Sequence, residues 1–394
     1  MGRWMMIGIL LLAQQVSPQC GGSSTSVSTM LQNTVVLTLN DGPAHNTFNV
    51  AFVSVTVCPP GQTSGCQTID GISVDTGSSG LRILSSALTA SLPRQTTAAG
   101  ASVLECFPFQ DGYTWGPVAT ADVKIGPQQA SNIPIQIVGA PGAPSAPGSC
   151  TSSGSASENT LDTLGANGVL GVGIFRQDCG PGCTFAGSSN PSLYYACSSS
   201  NCQTTAQPLS QQLQNPVWMF PTDNNGVLIQ LPNVSPPGQV TASGLLVFGI
   251  GTRSNNALGN ANVFTLDASG NMTTTFGRTS TPGFIDSGSN GYYFLDSATT
   301  QIPGCTKVKD FYCPASTLSL TAGNAGANGR TNTVSFSIAN AESFLSSPNN
   351  LLPQIGGPFA GFFDWGLPFF YGRSVFTAIE GQSTPGGVGP YFAY

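Results

Sequence analysis

The chain has 394 residues, of which 40% are hydrophobic and only 7% are charged, against about 25% charged residues in an average soluble domain. The net charge is −6, and no basic run or basic–aromatic interleaving occurs, which argues against nucleic acid as a partner. A single histidine rules out multi-histidine metal sites. The 49 glycines and 29 prolines favour short strands and turns over long charged helices. Few carboxylates also means few groups whose protonation unfolds a protein in acid.

The N-terminus begins with Arg3 and an apolar run through Ala13 that is too short to span a bilayer. Residues 1–19 are therefore predicted to be a secretory signal peptide, and residues 20–33 a flexible polar tether. Cys20 follows the leader and has two open readings. It is the lipid-bearing first residue of a bacterial lipoprotein, or it is left free after ordinary cleavage. The other ten cysteines suit up to five disulfides in an exported protein.

Alternating apolar stretches predict strands at 34–39, 49–57 and 72–75, and Cys58 and Cys66 are placed to staple the turn between the last two. Further strands are predicted at 121–125, 133–138, 226–231, 244–248 and 333–338. Helical candidates are short: 83–92, 208–214 and 339–345. Segments 141–157 and 179–202 are irregular, the second being rich in cysteine. The coarse reading is mainly β, with an N-terminal lobe over 34–215 and a C-terminal lobe over 216–394, divided near Asn215 and Pro216.

Two segments say nearly the same thing. Val74-Asp75-Thr76-Gly77-Ser78-Ser79-Gly80-Leu81 and Ile285-Asp286-Ser287-Gly288-Ser289-Asn290-Gly291-Tyr292 lie 211 positions apart, one in each predicted lobe. Hydrolysis of an amide needs a base to activate water and an acid to protonate the leaving nitrogen. Two adjacent carboxyls cannot both ionise easily, so one keeps a proton and the pair holds both roles. Gly77 and Gly288 allow a sharp turn and close approach, and Ser78 and Ser289 are placed to orient the carboxylates. A single Asp-Thr-Gly is a common turn; two copies with matching flanks are much harder to read as turns alone.

Other chemistries are weaker. His45 sits in a turn-like segment and no nucleophile-elbow pattern accompanies it, which disfavours a Ser-His-Asp triad. Cys179, Cys183, Cys197 and Cys202 have spacings that a zinc cluster would tolerate, but disulfides are favoured in an exported chain. The Gly249-Ile250-Gly251 segment lacks the helix that a dinucleotide loop requires.

The two Asp loops resemble those of the pepsin-like aspartic peptidases, with Asp-Ser-Gly an accepted variant in the second. Gly112-Tyr113-Thr114-Trp115-Gly116-Pro117 is similar to that family's flap hairpin. Segments 167–173 and 363–370 are similar to the two elements that pack behind the loops. The resemblance covers most of residues 34–380. It implies a bilobal double β-barrel with an active cleft between the lobes. Asp75 and Asp286 would be catalytic, supported by Thr76, Gly77, Ser78, Ser287, Gly288 and Ser289. Tyr113, Trp115 and Gly116 would belong to a substrate-covering flap. Arg82 stands where that family commonly has an aromatic residue, Trp115 is unusual in a flap, and residues 386–394 have no counterpart. The chain as a whole also resembles a family of bacterial exported proteins, often lipoproteins, which implies no substrate.

The expectation is an aspartic endopeptidase acting on protein or peptide at acidic pH, as a monomer without metal or cofactor. The alternative is a non-catalytic binding or inhibitor protein on the same scaffold; a purely structural surface lipoprotein is a third reading. The expected location is the bacterial periplasm, the outer membrane through a lipid on Cys20, or the extracellular space.

Overall fold

The structure is a computed structural model that describes residues 32–151, 156–198 and 201–394. The predicted leader, Cys20 and most of the tether lie outside the described residues. The chain is mainly β: one sheet of sixteen strands runs through both halves, and a second sheet of seven strands belongs to the C-terminal half. The predicted strand at 34–39 forms as Thr34–Leu39 and pairs along its length with Ala242–Phe248, so the N-terminal segment is tied to the second half.

Each half carries the same three-strand arrangement around its Asp loop. In the first, strand Gln67–Asp75 enters the loop and strand Ser79–Leu84 leaves it. Strand Gly168–Val172 lies between them, parallel to the entering strand and antiparallel to the leaving one. In the second half, Thr279–Ile285 enters and Tyr292–Leu295 leaves. Phe359–Trp365 runs between these, again parallel to the first and antiparallel to the second. The segments at 167–173 and 363–370 therefore do pack against the two loops.

Glycine makes this packing close. A Cβ on Gly171 would lie 2.7 Å from the Ser78 hydroxyl and from the Ser79 backbone. One on Gly366 would lie 2.1 Å from the Gly291 carbonyl. Around these strands the apolar side chains are wholly buried, among them Ile72, Val74, Leu81 and Leu170 in the first half. Each such side chain contributes on the order of 1.5–3 kcal/mol to the fold. In the second half the core is aromatic: Phe363 stacks on Trp365 at 4.3 Å and on Phe294 at 4.9 Å.

The predicted helix at 83–92 does not form. Residues 79–84 are a strand, all six buried, held between Gln128–Val138 and Gly168–Val172. A strand covered on both faces loses its alternation and cannot be told from a helix by periodicity; only Ser85–Ala87 makes a short 3₁₀ turn. The candidate at 208–214 reduces to the 3₁₀ turn Leu209–Gln211, because the side chains of Gln207, Gln212 and Gln214 take over backbone carbonyls there. The candidate at 339–345 forms as the helix Ala341–Leu345, with Asn340 accepting the Ser343 amide. The C-terminus, unplaced by sequence, supplies strand Tyr391–Ala393, which pairs with Ser374–Ala378 and Val263–Thr265.

All ten cysteines after Cys20 are paired: Cys58–Cys66, Cys106–Cys150, Cys179–Cys183, Cys197–Cys202 and Cys305–Cys313. The first is the staple expected from the sequence. Five disulfides fit export to an oxidising compartment. Among the described residues no helix is long and apolar enough to cross a membrane.

Candidate active site

The two Asp loops meet tip to tip. The Thr76 amide donates to the Ser287 hydroxyl at 3.1 Å, and the Ser287 amide donates to the Thr76 hydroxyl at 2.9 Å. Each hydroxyl then donates across to the strand entering the opposite loop: Thr76 to the Ile285 carbonyl at 3.2 Å, Ser287 to the Val74 carbonyl at 2.7 Å. Both residues are buried, so these four bonds leave no loop-tip donor unsatisfied and lock one loop against the other.

This lock brings Asp75 and Asp286 side by side: a Cβ on Gly288 would touch both, 2.7 Å from Asp75 Oδ1 and 3.2 Å from Asp286 Oδ1. Each carboxyl is oriented by its own loop in the same way. Asp75 accepts the Gly77 amide at 2.7 Å and the Ser78 hydroxyl at 2.5 Å. Asp286 accepts the Gly288 amide at 2.7 Å and the Ser289 hydroxyl at 3.0 Å. The glycines are required for contact: a Cβ on Gly77 would sit 2.6 Å from an Asp286 oxygen, and one on Gly288 would sit 2.7 Å from an Asp75 oxygen. All eight residues expected from the sequence at the loops are thus in one place.

Burial pushes the Asp286 carboxyl well above the usual carboxylate range, and the adjacent Asp75 and then Asp364 push it further. The Asp75 contribution is the one anticipated for paired carboxyls: a second negative charge beside the first is disfavoured. Such a pair holds one proton between two groups and offers a base and an acid at the same point.

Asp364, within the 363–370 packing segment, is a neighbour of the site that the sequence pattern does not single out. It is buried on the strand between the two arms of the second loop, directly opposite Phe284 and Tyr293. Its signal in the sequence was a lone acid in the apolar run Phe362-Phe363-Asp364-Trp365 of a chain with few charges.

Arg82 has a structural role. Its side chain is wholly buried, paired to Glu105 at 2.6 Å and Asp178 at 3.3 Å, with its guanidinium 3.6 Å from the centre of the Phe107 ring. It also donates to the Ser79 carbonyl at 3.0 Å. Arg82 therefore fastens the strand leaving the first Asp loop to strand Ser102–Pro108 of the hairpin. Two acids share this one cation. Burial and then the Glu105 charge hold Asp178 well above the usual range, while the Tyr194 hydroxyl donates to both its oxygens.

The hairpin joins Ser102–Pro108 to Gly112–Ile125, with Pro108 opposite Tyr113 and its turn at 109–111. After burial and Asp364, the charge of Asp111 in this turn also pushes the Tyr293 hydroxyl up. Tyr113 is half-buried beside the turn. Trp115 is buried: its indole donates to the Pro144 carbonyl at 2.7 Å and its ring meets Tyr195 edge-on, beside the Cys106–Cys150 bridge. Gly116 is a packing position, where a Cβ would lie 2.0 Å from the Ile137 carbonyl.

His45 is exposed and pairs with Asp41 at 2.9 Å. Among the described residues, the one set of potential metal ligands that clusters is Cys305, Cys313 and Glu342. Its two sulfurs are joined to each other, and the carboxylate already accepts the Thr306 and Lys307 amides.

The architecture is that of the pepsin-like double β-barrels, with one Asp loop from each half. The solved structure of an aspartic proteinase from Irpex lacteus is similar to this chain with a TM-score of 0.53 and 15% identity, covering 91% of this chain and 96% of that one. At that identity the likeness carries the fold. Residues 29–394 match the family described as protein of unknown function (DUF3443), and the chain belongs to that family. No curated relative matches it in sequence.

Proposed function

We propose that the protein is an aspartic endopeptidase. Water held between Asp75 and Asp286 loses a proton to the ionised carboxyl and attacks the peptide carbonyl carbon, while the other carboxyl gives its proton to the carbonyl oxygen. The C–N bond then breaks as the nitrogen takes a proton from the dyad. The observation that carries this reading is the pair of facing carboxyls, each with a loop amide and a serine hydroxyl as donors. A fold that needed only two tight turns has no use for this arrangement, because it forces two acids into contact. The hairpin, with Tyr113 beside its turn, serves as the cover over bound peptide.

The second reading is a binding protein on this scaffold that does not turn over its ligand. It is favoured by Trp115, whose burial removes one expected flap contact. A denatured protein incubated with the enzyme at acidic pH, with fragments read by mass spectrometry, separates the two. Cleavage blocked by a pepstatin-type inhibitor supports the peptidase. Inhibitor or peptide binding without cleavage supports the binding protein.

A further inference from the structure

A β hairpin has two faces, and side chains alternate between them along each arm. In this hairpin Glu105 lies opposite Gly116, Phe107 opposite Thr114, Cys106 opposite Trp115 and Pro108 opposite Tyr113. Glu105, Phe107 and Thr114 therefore share one face. Cys106, Trp115 and Tyr113 share the other.

Their contacts identify the face turned towards the first Asp loop. Arg82, on the strand leaving that loop, pairs with Glu105 at 2.6 Å. Its guanidinium lies 3.6 Å from the centre of the Phe107 ring and 6.0 Å from that of Phe109. Phe107 and Phe109 meet edge-on at 5.0 Å, so Phe109 joins the same inner face at the turn. Trp115 packs on the outer face, 5.4 Å from the Tyr195 ring and beside the Cys106–Cys150 bridge, and Tyr113 packs against that outer cluster.

Exposure grades the inner face. Arg82, Glu105 and Thr114 are wholly buried, whereas Phe107 and Phe109 are half-buried. The two rings lie beside the ionic cluster and are the side chains of this face that remain partly open. Attraction between the guanidinium and the ring face holds Phe107 in place before anything binds. An aromatic ring also has a large apolar area to bury when a ligand covers it.

We infer that Phe107 and Phe109 are the side chains with which the hairpin contacts a bound peptide, while Tyr113 and Trp115, the contacts expected from the sequence, brace the hairpin from outside. The inference deepens the peptidase reading and rests on it. The two rings offer apolar contact and no proton, so the cover acts by binding and closure.

The test compares Phe109→Ala, Phe109→Leu, Tyr113→Ala and Tyr113→Phe in kcat and KM for one peptide that the wild type cleaves. Phe109 carries the test because Phe107→Ala would also uncover Arg82. Phe109→Ala is expected to lower kcat/KM by about tenfold or more, and Phe109→Leu to keep it within about threefold because an apolar side chain stays on the inner face. Both Tyr113 variants are expected to stay within about twofold of wild type. A loss in Tyr113→Ala that equals or exceeds the loss in Phe109→Ala overturns the inference. So does a Phe109→Ala enzyme within about twofold of wild type.

A second readout needs no turnover and decides alone should the alanine variant not fold. Phe109→Trp and Tyr113→Trp each add an indole, one to each face, and the emission difference from wild type is followed as a pepstatin-type inhibitor is added. The indole at position 109 is expected to shift to shorter wavelength on binding, and the one at position 113 to stay unmoved. The reverse pattern overturns the inference. If no peptide is cleaved but the position-109 emission shifts, the peptidase reading fails and the inference stands. If peptides are cleaved but neither kcat/KM nor emission responds at position 109, the inference fails and the peptidase stands. A chain that neither cleaves peptide nor binds the inhibitor overturns both.

Discussion

Thr76 and Ser287 grip each other across the junction of the two halves: each gives its amide to the other's hydroxyl, at 3.1 and 2.9 Å, although 211 positions separate them. Each hydroxyl also donates onward to a buried carbonyl of the opposite strand. Removing either hydroxyl therefore strands an amide and a carbonyl in a place water cannot easily reach. Thr76→Ala and Ser287→Ala are each expected to destabilise the fold by about 1–3 kcal/mol in urea unfolding. Thr76→Ser keeps the oxygen and is expected to retain most of the stability.

The glycines of the loops are a separate requirement. Gly77→Ala places a methyl group 2.6 Å from an Asp286 oxygen, and Gly288→Ala does the same 2.7 Å from Asp75. The carboxyls have to separate to make room. Either substitution is expected to abolish binding of a pepstatin-type inhibitor in calorimetry, at a cost of about 1–3 kcal/mol in stability. Inhibitor affinity that survives both changes would mean that contact between the carboxyls is not needed.

Acid stability follows from three buried carboxyls. Asp178, Asp286 and Asp364 are all held well above the usual carboxylate range in the fold, chiefly through burial. A carboxyl raised in the folded state contributes stability that is fully present below its unfolded pKa and is lost as pH rises through its folded pKa. The urea midpoint is therefore expected to fall as pH rises above about 4. Asp178→Asn is expected to flatten part of that slope, because the amide cannot ionise beside Glu105. A midpoint that rises with pH over this range would contradict the sign.

The hairpin carries its own pH response. Glu158 is raised to about 7, first by burial and then by the neighbouring Asp111. Its backbone amide donates to the Tyr113 carbonyl at 2.9 Å, so it sits against the hairpin. Below that pH the side chain is neutral; above it, two negative charges face each other at the hairpin turn. Hydrogen exchange at amides of residues 109–114 is expected to quicken as pH rises through about 7, beyond the intrinsic pH dependence. Glu158→Gln is expected to remove the excess.

How much of this was legible in the sequence depended on range. The Asp loops were readable because the motif occurs twice, and the repetition itself is the signal. Most strands showed their alternation, but 79–84 did not, because both its faces are covered. Arg82 could be seen only as a departure. Its meaning lies in Glu105 and Asp178, which are 23 and 96 positions away. Asp364 lies in the 363–370 segment, and only the strand register shows that it holds the position Val169 holds in the first half.

The most direct measurement is kcat/KM for an unfolded protein or peptide substrate at acidic pH, for the wild-type chain and for Asp75→Asn and Asp286→Asn. Asparagine keeps the volume and the bond from the loop amide, with the serine hydroxyl turned to accept from its NH2, while removing the shared proton. The dyad account expects cleavage by the wild type and a loss of about a thousandfold or more in each variant, with the fold intact by circular dichroism. Cleavage that persists in either variant would contradict it.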